Sequence, residues 1–244
     1  MNRGFLARAY IGTAGWAIPR AHAQNFPIDG STLQRYAGIF QGVEINSTFH
    51  RSHRPATYAR WAESTPENFR FSLKLPKAIT HAIKLVDVEQ PLEAFLTSAR
   101  LLGTKLGPIL VQLPPSLVFE PGLATSFFMT LRGRHAGPIV CEPRHASWFT
   151  DDADELLKDS AIGRVAADPA VVPAAAEPGG WREPAYYRLH GSPRKYFSAY
   201  GEESIRRLSS ALEAAEGEVW CIFDNTASGA AAGDALNLMA AIPS

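Results

Sequence analysis

Short apolar runs that end in a polar or charged residue recur along the whole chain. Eight such runs occur, at residues 10–13, 43–46, 71–74, 109–112, 139–142, 165–168, 186–190 and 219–225. Most of the intervals between them are long enough for a helix, and strands that alternate with helices predict a parallel sheet. Eight repeats predict an α/β fold, a single (β/α)8 TIM-type barrel over residues 1–244, whose strand ends share one rim where such barrels place their chemistry.

Helical spacing and capping residues predict seven helices, over residues 31–40, from residue 55 onward, and over 89–102, 121–131, 150–160, 202–216 and 230–241. The interval 169–184 is rich in Ala, Pro and Gly and has no helical face, so we predict a loop in place of the sixth helix. An open doubly wound sheet is the alternative. It is disfavoured because residues 12–16 lack a G-x-G-x-x-G turn and place Trp16 where a pyrophosphate would need close backbone approach.

Composition limits the partners of the protein. The 244 residues include 24 Lys and Arg against 24 Asp and Glu, so the net charge is +0 and any anion binding must be local. No secretory pattern opens the chain and no apolar stretch is long enough for a membrane span, so we expect a cytoplasmic protein without a membrane partner. Cys141 and Cys221 are expected to be buried, reduced thiols.

Side chains alternate between the two faces of a strand, so residues two apart share a face. The strand ends therefore point inward in pairs: Glu44 with Asn46, Ser72 with Lys74, Glu142 with Arg144, and Arg188 with His190 above Tyr186. Gln112 and Asp168 end two further runs. Charged groups inside a barrel are costly unless they are paired or used. The alternation therefore predicts a mixed-charge site at one rim.

A polar, anionic small ligand fits these side chains best. Lys74, Arg144 and Arg188 are the predicted anion holders, and Glu44 and Glu142 are candidates for proton transfer. Histidine titrates near neutral pH, which adds His190 to the catalytic candidates Glu44, Lys74 and Glu142. Alternatively, these charges form ion pairs that only close the mouth of the barrel.

Loops after the strands supply the remaining binding candidates. Arg194, Lys195 and Tyr196 follow the seventh run, and residues 226–229 lead into the last helix, whose N-terminal amides favour an anion. An ordinary solvated loop and a plain helix cap are the alternative. The other predicted substrate-binding residues are Thr13, Trp16, Asn46, His81, Gln112, Trp148, Asp168 and Asn225.

Metal ligands are available at this rim but have no tight motif. Candidate oxygen and nitrogen donors are Glu44, Glu142, Asp168, His81, His145 and His190. Lys74 and Arg144 at the same rim would repel a divalent ion. We therefore predict neither a metal nor another cofactor.

Six ordered motifs resemble the YecE-like family, known as domain of unknown function 72. They lie at residues 11–16, 43–49, 71–74 with 80–81, 112–115, 142–148 and 188–191. The resemblance runs from about residue 10 to residue 240 and implies a TIM-barrel fold with no established reaction. The family often has Tyr where this chain has His50, and Asn-Asn where it has Asp224-Asn225, so an extra negative charge stands on the eighth strand.

Three functions are compatible with these features. The first is an enzyme, a lyase, isomerase or hydrolase, that uses acid/base chemistry on a small phosphorylated or sugar-like anion. The second is a nucleic-acid-binding or apurinic-endonuclease-like protein, with phosphates held by cations of the rim and a base stacked on Trp16 or Trp148. The third is a non-catalytic ligand-binding module. The sequence predicts no particular oligomeric state.

Overall fold

Strands and helices alternate along the chain, as the apolar pattern predicts. The computed structural model describes residues 9–242, so residues 1–8 and 243–244 at the ends of the predicted domain lie outside the described part. The strands are β1 (Ala9–Thr13), β2 (Gly42–Ile45), β3 (Arg70–Lys74), β4 (Leu106–Gln112), β5 (Ile139–Glu142), β6 (Gly163–Arg164), β7 (Ala166–Asp168), β8 (Gly179–Gly180), β9 (Ala185–Leu189) and β10 (Val219–Phe223). The α-helices are α1 (Thr32–Ala37), α2 (Pro55–Glu63), α3 (Glu89–Ala99), α4 (Pro121–Arg132), α5 (Asp151–Asp159), α6 (Glu202–Ala214) and α7 (Ala230–Ala241).

The strands form two sheets with mostly parallel pairing. One sheet has the order β1-β10-β9-β7 and the other has the order β2-β3-β4-β5-β6-β8. Every pair is parallel except β6 with β8, which is antiparallel. Parallel pairing through helical crossovers brings the carboxyl ends of these strands to one edge, where polar side chains from different strands can meet.

The two sheets approach each other at two places. Ala14 forms an isolated parallel bridge with Glu44, and the Gly15 amide donates to the Glu44 carbonyl at 2.8 Å. At the other place the predicted sixth strand is divided, because its first part pairs with β5 and its second part, after Val165, pairs with β9. The strand pairing therefore gives two mostly parallel sheets rather than the one continuous sheet that the eight runs predict.

The predicted helices are present, but three of them end two or three residues earlier than predicted, at Ala37, Ala99 and Ala214. Helix α1 begins where predicted: the Ser31 hydroxyl accepts from the Gln34 amide at 3.3 Å, and the Gln34 side chain accepts from the Ser31 amide at 2.9 Å. It ends at Ala37 rather than at residue 40. Helix α3 ends at Ala99 because the chain tightens into a 3-10 helix over residues 100–105, within which Gly103 takes a φ of 58°.

No α-helix occupies residues 169–184, in agreement with the predicted loop. This interval holds a 3-10 helix, Pro173–Ala176, and the two-residue strand β8, which pairs with β6. The short strand has no apolar run, since it consists of Gly179 and Gly180, and for that reason the sequence pattern did not predict it.

A small apolar cluster lies between the strands, separate from the larger core between strands and helices. It is made of Leu110, Val140, Val165, Tyr186, Trp220 and Ile222, with Tyr10 and Ala14 packed against it. Trp220 stacks on Tyr10 with ring centroids 4.7 Å apart. A Cβ at Gly107 would lie 2.7 Å from the Trp220 ring, so a glycine is required there. The space between the strands, below their carboxyl ends, is therefore filled by these side chains.

Two further expectations concern cysteines and membrane spans. Cys141 and Cys221 are buried and free, as predicted. Among the described residues, no helix is both long enough and apolar enough to cross a membrane.

Candidate functional site

A buried network of charges centres on Arg188, at the carboxyl end of β9. Its Nε and Nη2 donate to the two oxygens of Glu44 at 2.9 and 2.7 Å, and its Nη1 donates to Glu142 Oε2 at 2.7 Å. Nη2 also donates to Asp224 Oδ2 at 3.0 Å. The planar guanidinium carries five N–H donors, and here it joins three carboxylates from different strands.

His190 is held between two of these carboxylates. Its Nδ1 lies 3.0 Å from Asp224 Oδ2 and its Nε2 lies 2.9 Å from Glu142 Oε1. Arg144 contacts both partners, with Nη2 at 2.5 Å from Glu142 Oε1 and 2.9 Å from His190 Nε2. Because both ring nitrogens are engaged, the orientation of the imidazole is fixed.

Tyr186 separates the charges from the apolar cluster below. Its hydroxyl lies 3.0 Å from both Glu44 Oε2 and Ser72 Oγ, and Ser72 donates to the Pro108 carbonyl at 2.9 Å. Burial and the neighbouring Glu44 carboxylate raise the pKa of Tyr186 well above its usual value. The hydroxyl therefore stays a neutral hydrogen-bond donor to the carboxylate.

Two of the carboxyl groups are held ionised. Burial opposes the ionisation of Glu142, but Arg188, His190 and Arg144 outweigh it and hold its pKa well below the usual range. Burial acts in the same sense on Asp224, whose pKa is nevertheless lowered by Arg188, His190 and Lys74. A carboxylate as strongly paired as Glu142 is a poor proton carrier, so the geometry favours an anchoring role for it over the predicted proton transfer.

A cavity of about 840 Å³ opens above this network at the carboxyl ends of the strands. Lys74, Lys77, Arg144 and Lys195 line it, against the single carboxylate of Asp224. Apolar and aromatic walls come from Phe49, Val171, Tyr196 and Phe197. Glu44, Glu142, Arg188 and His190 are fully buried and do not line this cavity. They form a floor that supports the cavity lining from beneath.

Lys74 is the most unusual group in the cavity. It is the last residue of β3 and only 6% exposed, with Nζ 4.1 Å from the centre of the Phe49 ring. Burial and the Arg188 charge lower its pKa to about 8, although Glu44, Glu142 and Asp224 act in the opposite direction. Within residues 9–242 its amine has neither a hydrogen-bond acceptor nor an ion-pair partner. About a tenth of this amine is therefore neutral at pH 7.

Six of the predicted binding residues line the cavity together with Lys74. They are Asn46, His81, Gln112, Arg144, Lys195 and Tyr196. Asn46 Oδ1 and Arg144 Nε are buried without a hydrogen-bond partner in the described part of the chain. Burial, followed by the charges of Lys74, Arg144 and Lys77, lowers the pKa of His81, which keeps its ring neutral. The Lys74 amine and the Arg144 side chain therefore line the cavity beside a neutral His81 ring.

Other predicted binding residues have structural contacts instead. The Thr13 amide donates to Tyr36 Oη at 2.8 Å, away from the cavity. Trp148 is 1% exposed, and its indole donates to the Leu117 carbonyl at 2.9 Å. Trp16 packs edge-on against Trp61 with ring centroids 5.0 Å apart. None of these three predicted residues lines the cavity.

Asn225, Asp168 and Arg194 stabilise the loop that follows β9. The Asn225 amide donates to the Ser198 carbonyl at 2.8 Å and to Asp234 at 2.6 Å. Asp168 accepts from the Tyr200 hydroxyl at 2.9 Å. Arg194 is exposed and stacks over Phe197 at 3.9 Å. These residues hold the loop that carries Lys195 and Tyr196 to the cavity.

Several lining residues were not assigned to the site from the sequence. Asp224 shares its strand face with Trp220 and Ile222, so the alternation rule places it inward, where it meets Arg188. Lys77 follows Lys74 by three residues in the loop after β3, and His50 follows β2 in the same way. The only sequence feature that pointed to Lys77 and His50 was their position just after a strand, and such a position does not tell where a side chain points.

In the described part of the chain, no three His, Cys, Asp or Glu side chains form a group that could hold a metal ion. Within the buried network, the oxygens of Glu44 and Glu142 already accept from Arg188, Arg144 or Tyr186. The acidic side chains of this rim therefore serve as partners of guanidinium groups.

Comparison with known proteins identifies the family. The family model described as "Protein of unknown function DUF72" matches residues 10–243. The chain belongs to this family. UPF0759 protein YecE of Escherichia coli (strain K12) is 29% identical over 174 residues, covering 68% of this chain and 61% of YecE. The match thus spans less than two thirds of that relative.

Solved structures show the same fold. A DUF72 family protein from Thermotoga maritima superposes with a TM-score of 0.79 at 24% identity, covering 95% of this chain and 98% of that chain. A xylose isomerase-like TIM barrel/4-hydroxyphenylpyruvate dioxygenase fusion protein gives a TM-score of 0.53 at 13% identity, covering 96% of this chain and 41% of that chain. This DUF72 chain therefore has a TIM-barrel-like fold.

Proposed function

We propose that this DUF72 protein is an enzyme that binds a small anionic metabolite, phosphorylated or sugar-like, in the cavity at the carboxyl ends of its strands. The observation that carries this proposal is the charge of the cavity: Lys74, Lys77, Arg144 and Lys195 face a single carboxylate, Asp224. Electrostatic attraction between such a lining and an anion is strong because the site is partly shielded from water.

The wall supplies contacts for the rest of the ligand. Asn46 and Gln112 offer amide groups, and Phe49 and Tyr196 offer ring faces or edges. A site with a few convergent polar groups and aromatic walls is typical of a small-molecule pocket. Its volume of about 840 Å³ suits a metabolite rather than a polymer.

The lining residues contact the ligand, whereas the residues of the floor hold the lining in place. Arg144, Lys195 and Lys77 hold the anion, and Lys74 supplies an amine at the reacting end. Asp224 lines the cavity as an ionised carboxylate that also contacts His190, so it can accept a hydrogen bond from the ligand. Glu44, Glu142 and Arg188 position these groups from beneath.

The framework that carries this site is proposed to be one eight-stranded barrel in a single domain. Two observations support closure: the bridge between Ala14 and Glu44 joins β1 to β2, and the continuous segment 163–168 pairs with β5 on one side and β9 on the other. Closure would place the buried network inside the barrel, below the mouth formed by the cavity.

A nucleic-acid ligand is less well supported by the geometry. That alternative needs aromatic rings on which bases can stack at the cavity. Trp148 is buried beneath the rim and Trp16 packs against Trp61. The two tryptophans that the sequence suggested as stacking surfaces therefore do not line the cavity.

Binding of small anions tests the proposal. We expect inorganic phosphate and a panel of phosphorylated and carboxylated metabolites to bind in isothermal titration, with affinity reduced about tenfold or more by Arg144→Met, which removes a charged hydrogen-bond donor. Lys158→Met, on the exposed surface of α5, is the matched control and should leave binding unchanged. Absence of binding, or equal losses in both variants, contradicts the proposed anion site. A ligand that binds and is recovered unchanged would indicate a binding module instead.

A further inference from the structure

We infer that Lys74 forms a Schiff base with an aldehyde or ketone that carries a phosphate or carboxylate group. This inference rests on the proposed anion site and names the substrate class of that site. It concerns the lining lysine that ends a strand, β3, rather than those in the loops above it.

The position of Lys74 differs from those of the other cations. Arg144 is paired with Glu142, and Lys77 and Lys195 lie in loops at the rim. Lys74 ends a buried strand, and among the described residues it has no hydrogen bond or ion pair. A strand end fixes the amine more closely than a loop does, which favours a bond-forming role.

The surroundings of Lys74 allow both the neutral amine that attacks the carbonyl and the positively charged iminium that forms. Burial and the Arg188 charge lower the pKa of Lys74 to about 8, so its free-amine fraction at neutral pH is about 300-fold larger than that of a lysine at the usual value of 10.5. The iminium carries the same charge as the ammonium group it replaces. Glu44, Glu142 and Asp224 lie near enough to favour that charge.

The bond changes balance without a further reagent. The Nζ lone pair adds to the carbonyl carbon, the C=O π bond breaks, and one amine proton passes to the oxygen to give a carbinolamine. The hydroxyl then takes up a proton and leaves as water, while the nitrogen lone pair forms the C=N bond of a protonated iminium. The net reaction consumes one amine, one carbonyl compound and one proton, and releases one water.

The anionic group of the substrate is held at the rim. Arg144, Lys77 and Lys195 line the same cavity as Lys74. A carbonyl compound without an anionic group gains none of these contacts. The anion therefore determines which carbonyl compounds reach Lys74 at an effective concentration.

Reductive trapping tests this inference. The protein is incubated near pH 7 with dihydroxyacetone phosphate, with pyruvate, or with uncharged dihydroxyacetone, and then reduced with borohydride. We expect a single adduct on the Lys74 peptide by mass spectrometry, about tenfold or more abundant with an anionic probe than with dihydroxyacetone. The phosphate and carboxylate probes distinguish the two anions. Lys158 serves as the internal control for random modification of exposed lysines.

Variants and competition separate the outcomes. Lys74→Arg should abolish the adduct, and excess inorganic phosphate should reduce labelling of the wild-type Lys74 peptide, a readout that does not depend on folding of a variant. If phosphate binds but no probe labels Lys74 above Lys158, the Schiff base is refuted while the proposed anion site stands. If phosphate does not bind and no adduct forms, both are refuted.

Discussion

Replacing Lys74 by Met should stabilise the protein, although it removes the proposed reactive group. The pKa of Lys74 is lowered from 10.5 to about 8, which means that the folded protein disfavours its ammonium form. Each unit of pKa corresponds to about 1.4 kcal/mol, so the buried ammonium costs about 3 kcal/mol at neutral pH. Met fills a similar volume without a charge but loses the cation–π contact with Phe49, worth about 1 kcal/mol.

The net expectation is a gain of about 2 kcal/mol in the free energy of unfolding at pH 7. The gain should depend on pH. Because the unfolded chain holds the Lys74 proton more tightly than the folded protein, the wild type gains stability as pH rises from about 8 to 10.5. The difference between the Met variant and the wild type should therefore shrink by about 1.4 kcal/mol per pH unit in that range.

Urea denaturation at several pH values between neutral and about 9.5, followed by tryptophan fluorescence, measures this difference across the expected change of the lysine. Lys158→Met, on the exposed face of α5, is the control and should show no such pH dependence. A Met variant no more stable than the wild type at pH 7, or a difference that stays constant over the range, would refute the buried, destabilised ammonium.

Three other substitutions test the network and the helix caps by urea denaturation. Arg188→Met leaves three buried carboxylates without their shared partner and should cost about 3–5 kcal/mol. The pKa values of Glu142 and Asp224 in the folded protein lie below the usual ones, so their pairing with Arg188 stabilises the fold above about pH 4.5 and is lost as pH falls. The stability lost in Arg188→Met should therefore shrink in acid. A loss that does not change with pH would contradict this pairing. Tyr186→Phe, which removes a hydroxyl 3.0 Å from Glu44, should cost about 1–2 kcal/mol, and no loss would mean that the hydrogen bond is immaterial. Ser31→Ala removes the cap of α1 and should cost about 1 kcal/mol, while exposed Thr32→Ala should cost less; equal effects would contradict the cap.

The interior of the sheets was predictable from the sequence because a strand has a strict period of two. Glu44, Lys74, Glu142, Arg188 and His190 were all placed inward by that period, and their side chains do meet there. The period does not tell how deeply each side chain lies below the rim of the cavity. Lys74 lines the cavity, whereas Arg188, Glu44 and Glu142 do not, and the pairing of these three depends on distances between strands remote in the sequence.

Loop residues were much harder to predict. Trp148 and Tyr196 both follow strand ends, yet Trp148 turns inward to donate to a backbone carbonyl while Tyr196 lines the cavity. The backbone of a loop has no repeating geometry, so the direction of each side chain is set by contacts elsewhere. The division of the sixth strand at Val165 was missed for a similar reason, since it depends on which neighbour each half pairs with.

The floor of the cavity comes from strands, whereas its outer wall comes from loops. Lys74, Glu142 and Arg188 all lie on strands, and Arg188 donates to Glu142 beneath the cavity, so changing either of these two disturbs the other. The loop after β9 is different: it is fastened at its far end by Asn225 and contributes Lys195 from its middle. Substitutions in these loops therefore change the outer wall of the cavity without altering the buried charges beneath it.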